Sequence, residues 1–497
     1  MRNISFLTIF RAAVKRGMSN KYDVVILGAG VGGYVAAIRA AQLGMRVALV
    51  EKEKVGGVCL HQGCIPSKTL LKSAELYNAM KHSEVFGIKH SGLELDFSAV
   101  QLRKQQVVNK LYQGLQQLLG QYPIDLYQGT GRILGPSIFS PQSGTISVEY
   151  PDDRENAILI PQFVIIATGS RPRSLPNLEV DGTSILSSDH LLQLKELPSS
   201  VMIIGGGAIG VEWASLLSDL GVKVTIVEAA DRILPFEDEE IALQMQRNFE
   251  KRGISIYTGV STIARLREEN GKTLLQIDEH QISAEKVVLS VGRKANVEDI
   301  GLVNTQVVIK KGCIEVNEYQ QTAESHIYAV GDVVGGYQLA HVAAYEAIIA
   351  VEHMAGKQVS SLDLNRVPRC IYSRPEIGSI GYSEQEAREL GFEVKVGKIP
   401  LRSIGKAVIL GQEEGLIKMV TDRKTEDLLG VHMIGAQATE LIAQAGISKF
   451  LDATAWELSQ VIYPHPTLSE AFGEVSMAVE DAAIYSLNRK EGVKEDA

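Results

Sequence analysis

Cys59 and Cys64 are two of only four cysteines in 497 residues, and four residues separate them. They lie in the stretch Gly56-Gly-Val-Cys-Leu-His-Gln-Gly-Cys-Ile-Pro-Ser-Lys68. On an ideal helix that offset holds the two Cα atoms roughly 8–9 Å apart. A disulfide needs about 4.4–6.8 Å. A bond between them therefore requires a distorted helix, and Gly63 and Pro66 are residue types that permit one. Closing so short a loop stabilises a fold by only about 2 kcal/mol, so a structural staple is poorly placed here. Strained or accessible disulfides are the reducible ones, and the local sequence favours a redox pair. Two unrelated core thiols and a zinc site stay open as alternatives. The zinc reading lacks a second Cys or His pair nearby, since Cys313 and Cys370 stand alone. No resident metal is expected.

A second candidate lies far along the chain, in Tyr463-Pro-His465-Pro-Thr-Leu-Ser-Glu470. His465 is held between two prolines, and Glu470 follows at a distance that can set a carboxylate beside the imidazole. Such a pair suits proton transfer. A structural loop histidine is the alternative.

Two further stretches are built to take dinucleotides. Residues 22–27 read as a short apolar strand, Gly28, Gly30 and Gly33 follow, a helical run reaches Leu43, and residues 46–50 form a strand ending at Glu51. The first glycine makes a tight turn and the second lets the backbone approach a pyrophosphate. The third lets helix and strand pack closely, and the helix N-terminus faces the phosphates. Glu51 lies 18 residues past Gly33, where a carboxylate can accept from ribose hydroxyls. The pattern returns with the strand 201–204, then Gly205, Gly207 and Gly210, a helix to Leu220, and a strand 223–227 ending at Glu228. The interval from Gly210 to Glu228 equals the first. Two complete folds of this kind imply two dinucleotides. The acid at Glu228 favours NAD over NADP, because a 2′-phosphate there would meet a carboxylate. Arg232 is near but follows the acid rather than replacing it.

The elements that must position these groups follow from the rest of the chain. Residues 68–122 carry Leu and Val at helical spacing and read as helix. Short β-like runs follow, including 125–133. Residues 163–167 form a buried strand ending at Thr168 and Gly169, a turn that marks a domain crossover. Another apolar strand, 287–292, closes at Gly292. Residues 322–332 deliver Asp332 at a strand end, where an N-cap or turn residue is the bland reading. Gln338, Leu339, Ala340 and His341 open a helix running to about His353, with His341 as suited to capping or packing as to chemistry. From about Arg366 the texture becomes β-rich with intervening helices.

Bulk properties exclude several classes. Apolar content of 45% and charged content of 22% are ordinary globular values, and the length suggests three or four domains' worth of core. A net charge of −9 argues against a general nucleic-acid binder. No apolar run reaches the roughly 18 residues that span a bilayer. Residues 1–22 hold Arg2, Arg11, Lys15, Arg16 and Lys21 and no acid. As a secretory signal this segment fails, because its apolar run is short and Arg11 breaks it. A disordered tail, or an extension before a start at Met18, is expected over a mitochondrial transit segment. The location expected is therefore the cytoplasm, with the mitochondrial matrix as the alternative. The tail 489–497 is charged and expected to be solvated.

A cysteine pair, two dinucleotide folds and a proline-bracketed histidine with an acid together resemble the flavoprotein disulfide reductases. The match runs from about Lys21 through the last domain, and Gly-Gly-Val-Cys-Leu-His-Gln-Gly-Cys-Ile-Pro-Ser-Lys and His-Pro-Thr-Leu-Ser-Glu are its most specific parts. The resemblance implies an α/β protein with two Rossmann-like dinucleotide-binding domains and a C-terminal α+β dimerisation domain. The expected division is 1–20 as tail or extension, 21–168 for FAD, 169–293 for NAD, 294–365 as the return of the FAD domain, and 366–497 for dimerisation. It implies FAD contacts at Glu51, Lys68, Gly131, Thr168, Asp332 and residues 338–341. NAD contacts would fall on residues 205–212, with Glu212 among them, and on Glu228, Val260 and Gly292. Lys68 would pair with Glu212 near the flavin.

Within the family, the likeness is to members that oxidise a dihydrolipoyl dithiol and reduce NAD⁺, bacterial ones above all. It implies a redox disulfide between Cys59 and Cys64, with Glu470 orienting His465 as base. It also implies a homodimer in which the histidine comes from the partner subunit, and a lipoyl domain of a 2-oxo acid dehydrogenase acyltransferase as partner. An NADH-driven reductase of another disulfide, or a mainly docking subunit, are the alternatives. Glutathione reductases carry basic residues where Glu228-Ala-Ala sits. Mercuric and large thioredoxin reductases need a C-terminal cysteine pair that is missing here, and soluble transhydrogenases lack a counterpart of Cys59 and Cys64. Val58, His61 and Gln62 vary within the redox motif.

Overall fold

The computed structural model describes residues 20–136, 144–152 and 154–486. The expectations for the basic N-terminal segment and for the tail 489–497 lie outside the described residues. Contacts divide the chain into two units. The first comprises residues 20–67, Arg103–Arg171 and Arg293–Leu362. The second comprises Lys68–Leu102, Pro172–Gly292 and residues 363–486.

In the first unit, Val- and Ile-rich segments pair into a sheet of seven described strands. Strands Ile124–Gln128, Val47–Glu51, Lys21–Leu27 and Ala157–Ile166 lie side by side and parallel, and Ile327–Ala329 adds to the last of them. Val24 stands opposite Val47 and Phe163. Such strands are buried on both faces, which is why they read as unbroken apolar runs rather than alternating ones. The helix Val31–Gln42 packs on this sheet through Ala36, Ala37 and Ala40. Arg39 forms an ion pair with Glu352, tying it to the helix Ala340–Met354. A Cβ on Gly32 would sit 3.1 Å from a methyl of Val330, so small residues set how closely this helix approaches.

The second unit holds two five-stranded sheets of different kind, beside a three-stranded antiparallel one formed by Ile263–Glu269, Lys272–Ile277 and His280–Ala284. Five parallel strands, Ser255–Tyr257, Lys223–Val227, Ser200–Ile204, Lys286–Leu289 and Ile185–Ser187, form the repeat of the dinucleotide fold. The expected strand 287–292 thus ends at Leu289, and Gly292 lies in the turn beyond it. Residues 369–435 build a five-stranded antiparallel sheet, ordered Arg369–Ile371, Glu376–Gly381, Leu428–Gly435, Leu416–Asp422 and Val394–Pro400. The helices Ala438–Phe450 and Glu470–Val479 cover it and share one core with it.

The long helical reading of 68–122 needs correcting. The helix Cys64–Lys81 ends, a 3₁₀ turn Ser83–Phe86 follows, and a second helix runs from Phe97 to Leu119. Gly87 and Gly92 both adopt positive φ in the break, which helical geometry does not allow.

Candidate functional site

The redox stretch folds as two helices and a break. Gly57–His61 forms one short helix, closed by Gln62 N–H donating to the Val58 carbonyl at 2.8 Å. Cys64 then opens the helix Cys64–Lys81. Gly63 joins them, and a Cβ there would lie 3.1 Å from the Val58 carbonyl oxygen and 3.5 Å from the Cys59 Cα. A side chain there would crowd the Val58 carbonyl, so glycine eases the close start of the second helix against the first. Pro66 costs nothing in the first turn, where an N–H has no helical partner. The distortion expected between the two cysteines is therefore present. Cys64 stands at the positive end of an 18-residue helix, where negative charge on sulfur is favoured.

This loop is stitched to the first glycine turn. Gly56 N–H donates to the Ala29 carbonyl at 2.8 Å. Gly57 comes so near Gly30 that a Cβ on it would be 2.6 Å from the Gly30 Cα. Tyr34, one residue past Gly33, is half-buried beside both cysteines. Burial first, and then Cys59 and Cys64, push its phenol pKa up. Nothing in the spacing pointed to Tyr34. Its place on the first turn of the helix that follows the glycines was the only available signal. His61 is turned to the Val55 carbonyl at 2.9 Å and packs edge-on against Tyr112.

The two glycine turns are near copies. Gly28 has φ +97°, and a Cβ there would be 2.3 Å from the Ala167 oxygen; Gly205 has φ +106°, with 2.3 Å to the Ser290 oxygen. Gly33 and Gly210 press on the carbonyls of Gly28 and Gly205, at 1.8 and 2.0 Å for an added Cβ. The middle glycines face open space: Gly207 would meet nothing within 4 Å, and Gly30 only the Gly57 Cα at 4.0 Å. Neither helix that follows, Val31–Gln42 or Ala208–Asp219, has a side-chain cap. Each turn therefore offers uncapped N–H groups and an open backbone face, which fits a dinucleotide pyrophosphate.

The acids repeat as well. Glu51 accepts from Ala29 N–H at 2.7 Å and Glu53 N–H at 2.8 Å. Glu228 accepts from Gly206 N–H at 2.6 Å and Ala230 N–H at 2.8 Å. Each carboxylate is aimed by the turn it serves and keeps lone pairs for hydroxyls. Arg232 is turned to the carbonyls of Pro235 and Glu237, not to Glu228.

The other expected contacts fall as follows. Thr168 donates to the Asn296 carbonyl at 2.7 Å, and Gly169 has φ +69°. Gly131 lies in the strand Thr130–Ile133, where a Cβ would meet Leu27 at 2.6 Å. Asp332 sits in a 3₁₀ turn, Gly331–Val334, just past the strand Ile327–Ala329. Gln338 Nε2 is 3.4 Å from the Asp332 carbonyl, Leu339 caps the helix Ala340–Met354, and His341 is exposed in its first turn. Glu346, on that helix, accepts from Gly331 N–H at 2.7 Å; burial pushes its pKa up to about 7. Buried Val260 donates its N–H to the Glu228 carbonyl at 3.1 Å, and the Gly292 carbonyl accepts from Arg173 N–H at 3.0 Å.

Lys68, unlike the other expected flavin contacts, belongs to the second unit. Its ammonium donates to both oxygens of Glu212, at 2.7 and 2.9 Å, and lies 4.7 Å over the Tyr372 ring. Tyr372 N–H also donates to Glu212 at 3.0 Å. Burial, with Cys370 and Glu212 nearby, pushes the Tyr372 phenol up to about 12.

His465 and Glu470 meet in the same unit. Nδ1 of His465 lies 2.8 Å from one Glu470 oxygen, and Thr467 N–H donates to the other at 2.8 Å. A carboxylate only accepts, so Nδ1 carries the proton and Nε2 is left with its lone pair. Burial pushes the Glu470 carboxyl up, but the bonds from His465 and Thr467 outweigh it and hold its pKa below the ordinary range. The imidazole itself is 74% exposed, so Nε2 is open to an incoming group. Among the described residues no cluster of His, Cys, Asp and Glu could hold a metal ion, and no helix is long and apolar enough to cross a membrane.

Comparison with known proteins gives concordant results. The model for pyridine nucleotide-disulphide oxidoreductases matches residues 22–347, and that for the dimerisation domain of such proteins matches 367–476. A dihydrolipoyl dehydrogenase of Bacillus subtilis is 56% identical over 479 residues, covering 94% of this chain and all of the relative. One of Zymomonas mobilis is 38% identical, again over 94% of this chain and all of the relative. Among solved structures, LpdA of Mycobacterium tuberculosis has a TM-score of 0.85 at 26% identity, covering 91% of this chain and 98% of that one. The flavoprotein disulfide reductase RclA of Escherichia coli has a TM-score of 0.82 at 28% identity, covering 92% and 99%.

Proposed function

This chain belongs to the pyridine nucleotide-disulphide oxidoreductase family, and from that premise we propose that it oxidises dihydrolipoamide to lipoamide and reduces NAD⁺ to NADH. FAD and NAD are its cofactors, and its dimerisation domain makes it a homodimer. The observation that carries the reaction is the redox loop held against the first glycine turn by Gly56 and Gly57, with both cysteines at the break between two helices. Bound FAD supplies the two-electron relay between a dithiol and a nicotinamide.

The chain's own residues do the rest. In the oxidised protein Cys59 and Cys64 form a disulfide. The partner subunit's His465, through Nε2, takes a proton from one substrate thiol, because the thiolate is the nucleophile. Glu470 holds that imidazole in one tautomer and offsets the charge it gains. The thiolate attacks the Cys59 sulfur, forming a mixed disulfide and releasing Cys64 as a thiolate at its helix N-terminus. The second substrate thiol, deprotonated in turn, displaces Cys59 and leaves lipoamide. The electron pair now resides on the dithiol. Glu51 and Asp332 would hold hydroxyls of FAD, Glu228 would accept from the adenosine ribose of NAD, and Lys68 would set the charge near the flavin. The substrate dithiol is carried by a lipoyl domain of a 2-oxo acid dehydrogenase assembly, in the cytoplasm.

The test is steady-state NAD⁺ reduction by dihydrolipoamide, with the visible flavin spectrum recorded on the same sample. Turnover with a bleached and recovering flavin band is expected. Cys59→Ser and Cys64→Ser should abolish turnover and keep the flavin. A protein that reduces another disulfide from NADH, but not NAD⁺ from dihydrolipoamide, would overturn the assignment.

A further inference from the structure

Ser170 is 3% exposed, and its hydroxyl has two charged neighbours. The Nε–H of Arg293 donates to Ser170 Oγ at 2.7 Å, and Nη2 donates to the Ser170 carbonyl at 2.8 Å. Ser170 Oγ lies 2.5 Å from Asp332 Oδ2. A hydroxyl owns one proton, and a guanidinium and a carboxylate leave no choice of direction. Arg293 donates to Ser170, and Ser170 donates to Asp332. The guanidinium itself stands 3.7 Å from the same carboxylate oxygen, with side-chain exposures of 12% for Arg293 and 23% for Asp332. In so sheltered a place the charge on Arg293 is felt by Asp332. Among the described residues Oδ2 takes both contacts, and Oδ1 is left for a donor from outside the protein.

The frame around the relay is rigid. Strand Ser170–Pro172 pairs with strand Arg293–Ala295. Thr168 and Asn296 bond each other reciprocally, at 2.7 and 2.9 Å, two residues before Ser170 and three after Arg293. Glu346, on the other side of the turn, holds Gly331 N–H. The acid is thus fixed from both flanks.

We propose that Arg293 and Ser170 are positioning residues for the dinucleotide: through the fixed hydrogen-bond direction Arg293→Ser170→Asp332 they keep Oδ1 of Asp332 aimed at a hydroxyl of bound FAD. The inference rests on the reading of Asp332 as a flavin contact. A serine bridging guanidinium to carboxylate does what neither charge alone does. It takes the hydrogen bonds of both groups, so the guanidinium meets Oδ2 only as a longer ion pair at 3.7 Å and Oδ1 stays open.

The experiment is a double-mutant cycle read as the FAD dissociation constant, followed by flavin fluorescence on reconstitution. Variants are Ser170→Ala, Ser170→Thr, Arg293→Met and Asp332→Asn, with each of the first three also combined with Asp332→Asn. Ser170→Ala and Arg293→Met should each loosen FAD roughly tenfold to a hundredfold, the range for one hydrogen bond to a charged group. Ser170→Thr should restore the affinity, and neither loss should appear in the Asp332→Asn background. Losses that multiply with Asp332→Asn would show that Arg293 or Ser170 acts independently and overturn the relay. So would normal affinity in Ser170→Ala and Arg293→Met beside a weakened Asp332→Asn, leaving the flavin contact itself intact. Normal affinity in Asp332→Asn alone would remove the flavin contact and the relay together. Should Arg293→Met not fold, the Ser170 variants complete the cycle by themselves.

Discussion

Nδ1 of His465 and Oε1 of Glu470 lie 2.8 Å apart, and the second Glu470 oxygen is pinned by Thr467 N–H at the same distance. The carboxylate therefore cannot turn away, and the imidazole it holds presents Nε2 outward. Glu470→Gln keeps the shape but removes the charge and can hold the wrong tautomer. Dihydrolipoamide turnover should fall about a hundredfold or more, within the range for a positioned acid–base group, while FAD content is unchanged. Steady-state kinetics beside the flavin spectrum decides it, and normal turnover would remove Glu470 from the reaction.

Whether His465 serves its own chain or its partner can be read by complementation. Cys64→Ser and His465→Gln proteins should each be nearly inactive. Unfolded and refolded together, about half the dimers are mixed, and each mixed dimer has one intact site if the histidine crosses between subunits. Roughly a quarter of normal activity should return. If mixed dimers are confirmed by mass and none returns, the histidine acts within its own chain.

Lys68 and Glu212 form a close pair whose members are unequally sheltered, with side-chain exposures of 32% and 10%. Lys68→Met leaves a mostly buried carboxylate that, among the described residues, is held by Tyr372 N–H alone. The cost should be about 2 kcal/mol, below the full penalty for a buried pair because Lys68 is a third exposed. Lys68→Met with Glu212→Gln should regain the stability but not the turnover. Denaturant unfolding and kinetics on the same samples separate the two effects, and recovery of both would make the pair merely structural.

Coenzyme choice follows from Glu228. Its two oxygens are already aimed by Gly206 and Ala230, and Arg232 points elsewhere. A 2′-phosphate would meet a fixed carboxylate, and such like-charge contacts cost several kcal/mol. NAD⁺ should exceed NADP⁺ by roughly a hundredfold or more in kcat/KM. Glu228→Ala should narrow that ratio mainly by loss with NAD⁺. Comparable efficiency of the two coenzymes in the parent protein would refute the assignment.

Glu346 gives the fold a pH dependence of predictable sign. Burial lifts its pKa from 4.5 to about 7 in the folded state, so the folded state binds more protons between those values. Its contribution is full below the unfolded pKa and is lost as pH rises through about 7. The loss amounts to about 3 kcal/mol at one pKa unit per 1.36 kcal/mol. Glu346→Gln, which can still accept from Gly331 N–H, should flatten this slope between about pH 5 and pH 8. Thermal unfolding of the FAD-saturated variant and parent across that range is the check, and equal slopes would contradict it.

Local spacing determined much of this protein. The glycines and the acid 18 residues beyond each third glycine lie within single strand–turn–helix–strand units, so the chain itself encodes their geometry. The break between Cys59 and Cys64 was legible for the same reason, since Gly63 and Pro66 are local breakers. His465 and Glu470, five residues apart, belong to the same class. The break at 82–96 went unread because apolar residues at helical spacing continue on both sides of it, and periodicity marks a face rather than an end.

Tertiary structure decided what joins distant segments. Lys68 and Glu212 are 144 residues apart, and their pairing was implied only by family resemblance. Ser170 reaches Asp332 across 162 residues and Arg293 across 123, and Tyr34 acquires its cysteine neighbours only when the redox loop folds onto the first glycine turn. Periodicity and turn chemistry act over a few residues. Which side chains meet across such separations depends on strand order and on where helices come to rest on the sheets, and that is set by burial of the whole core, not by any stretch of the chain alone.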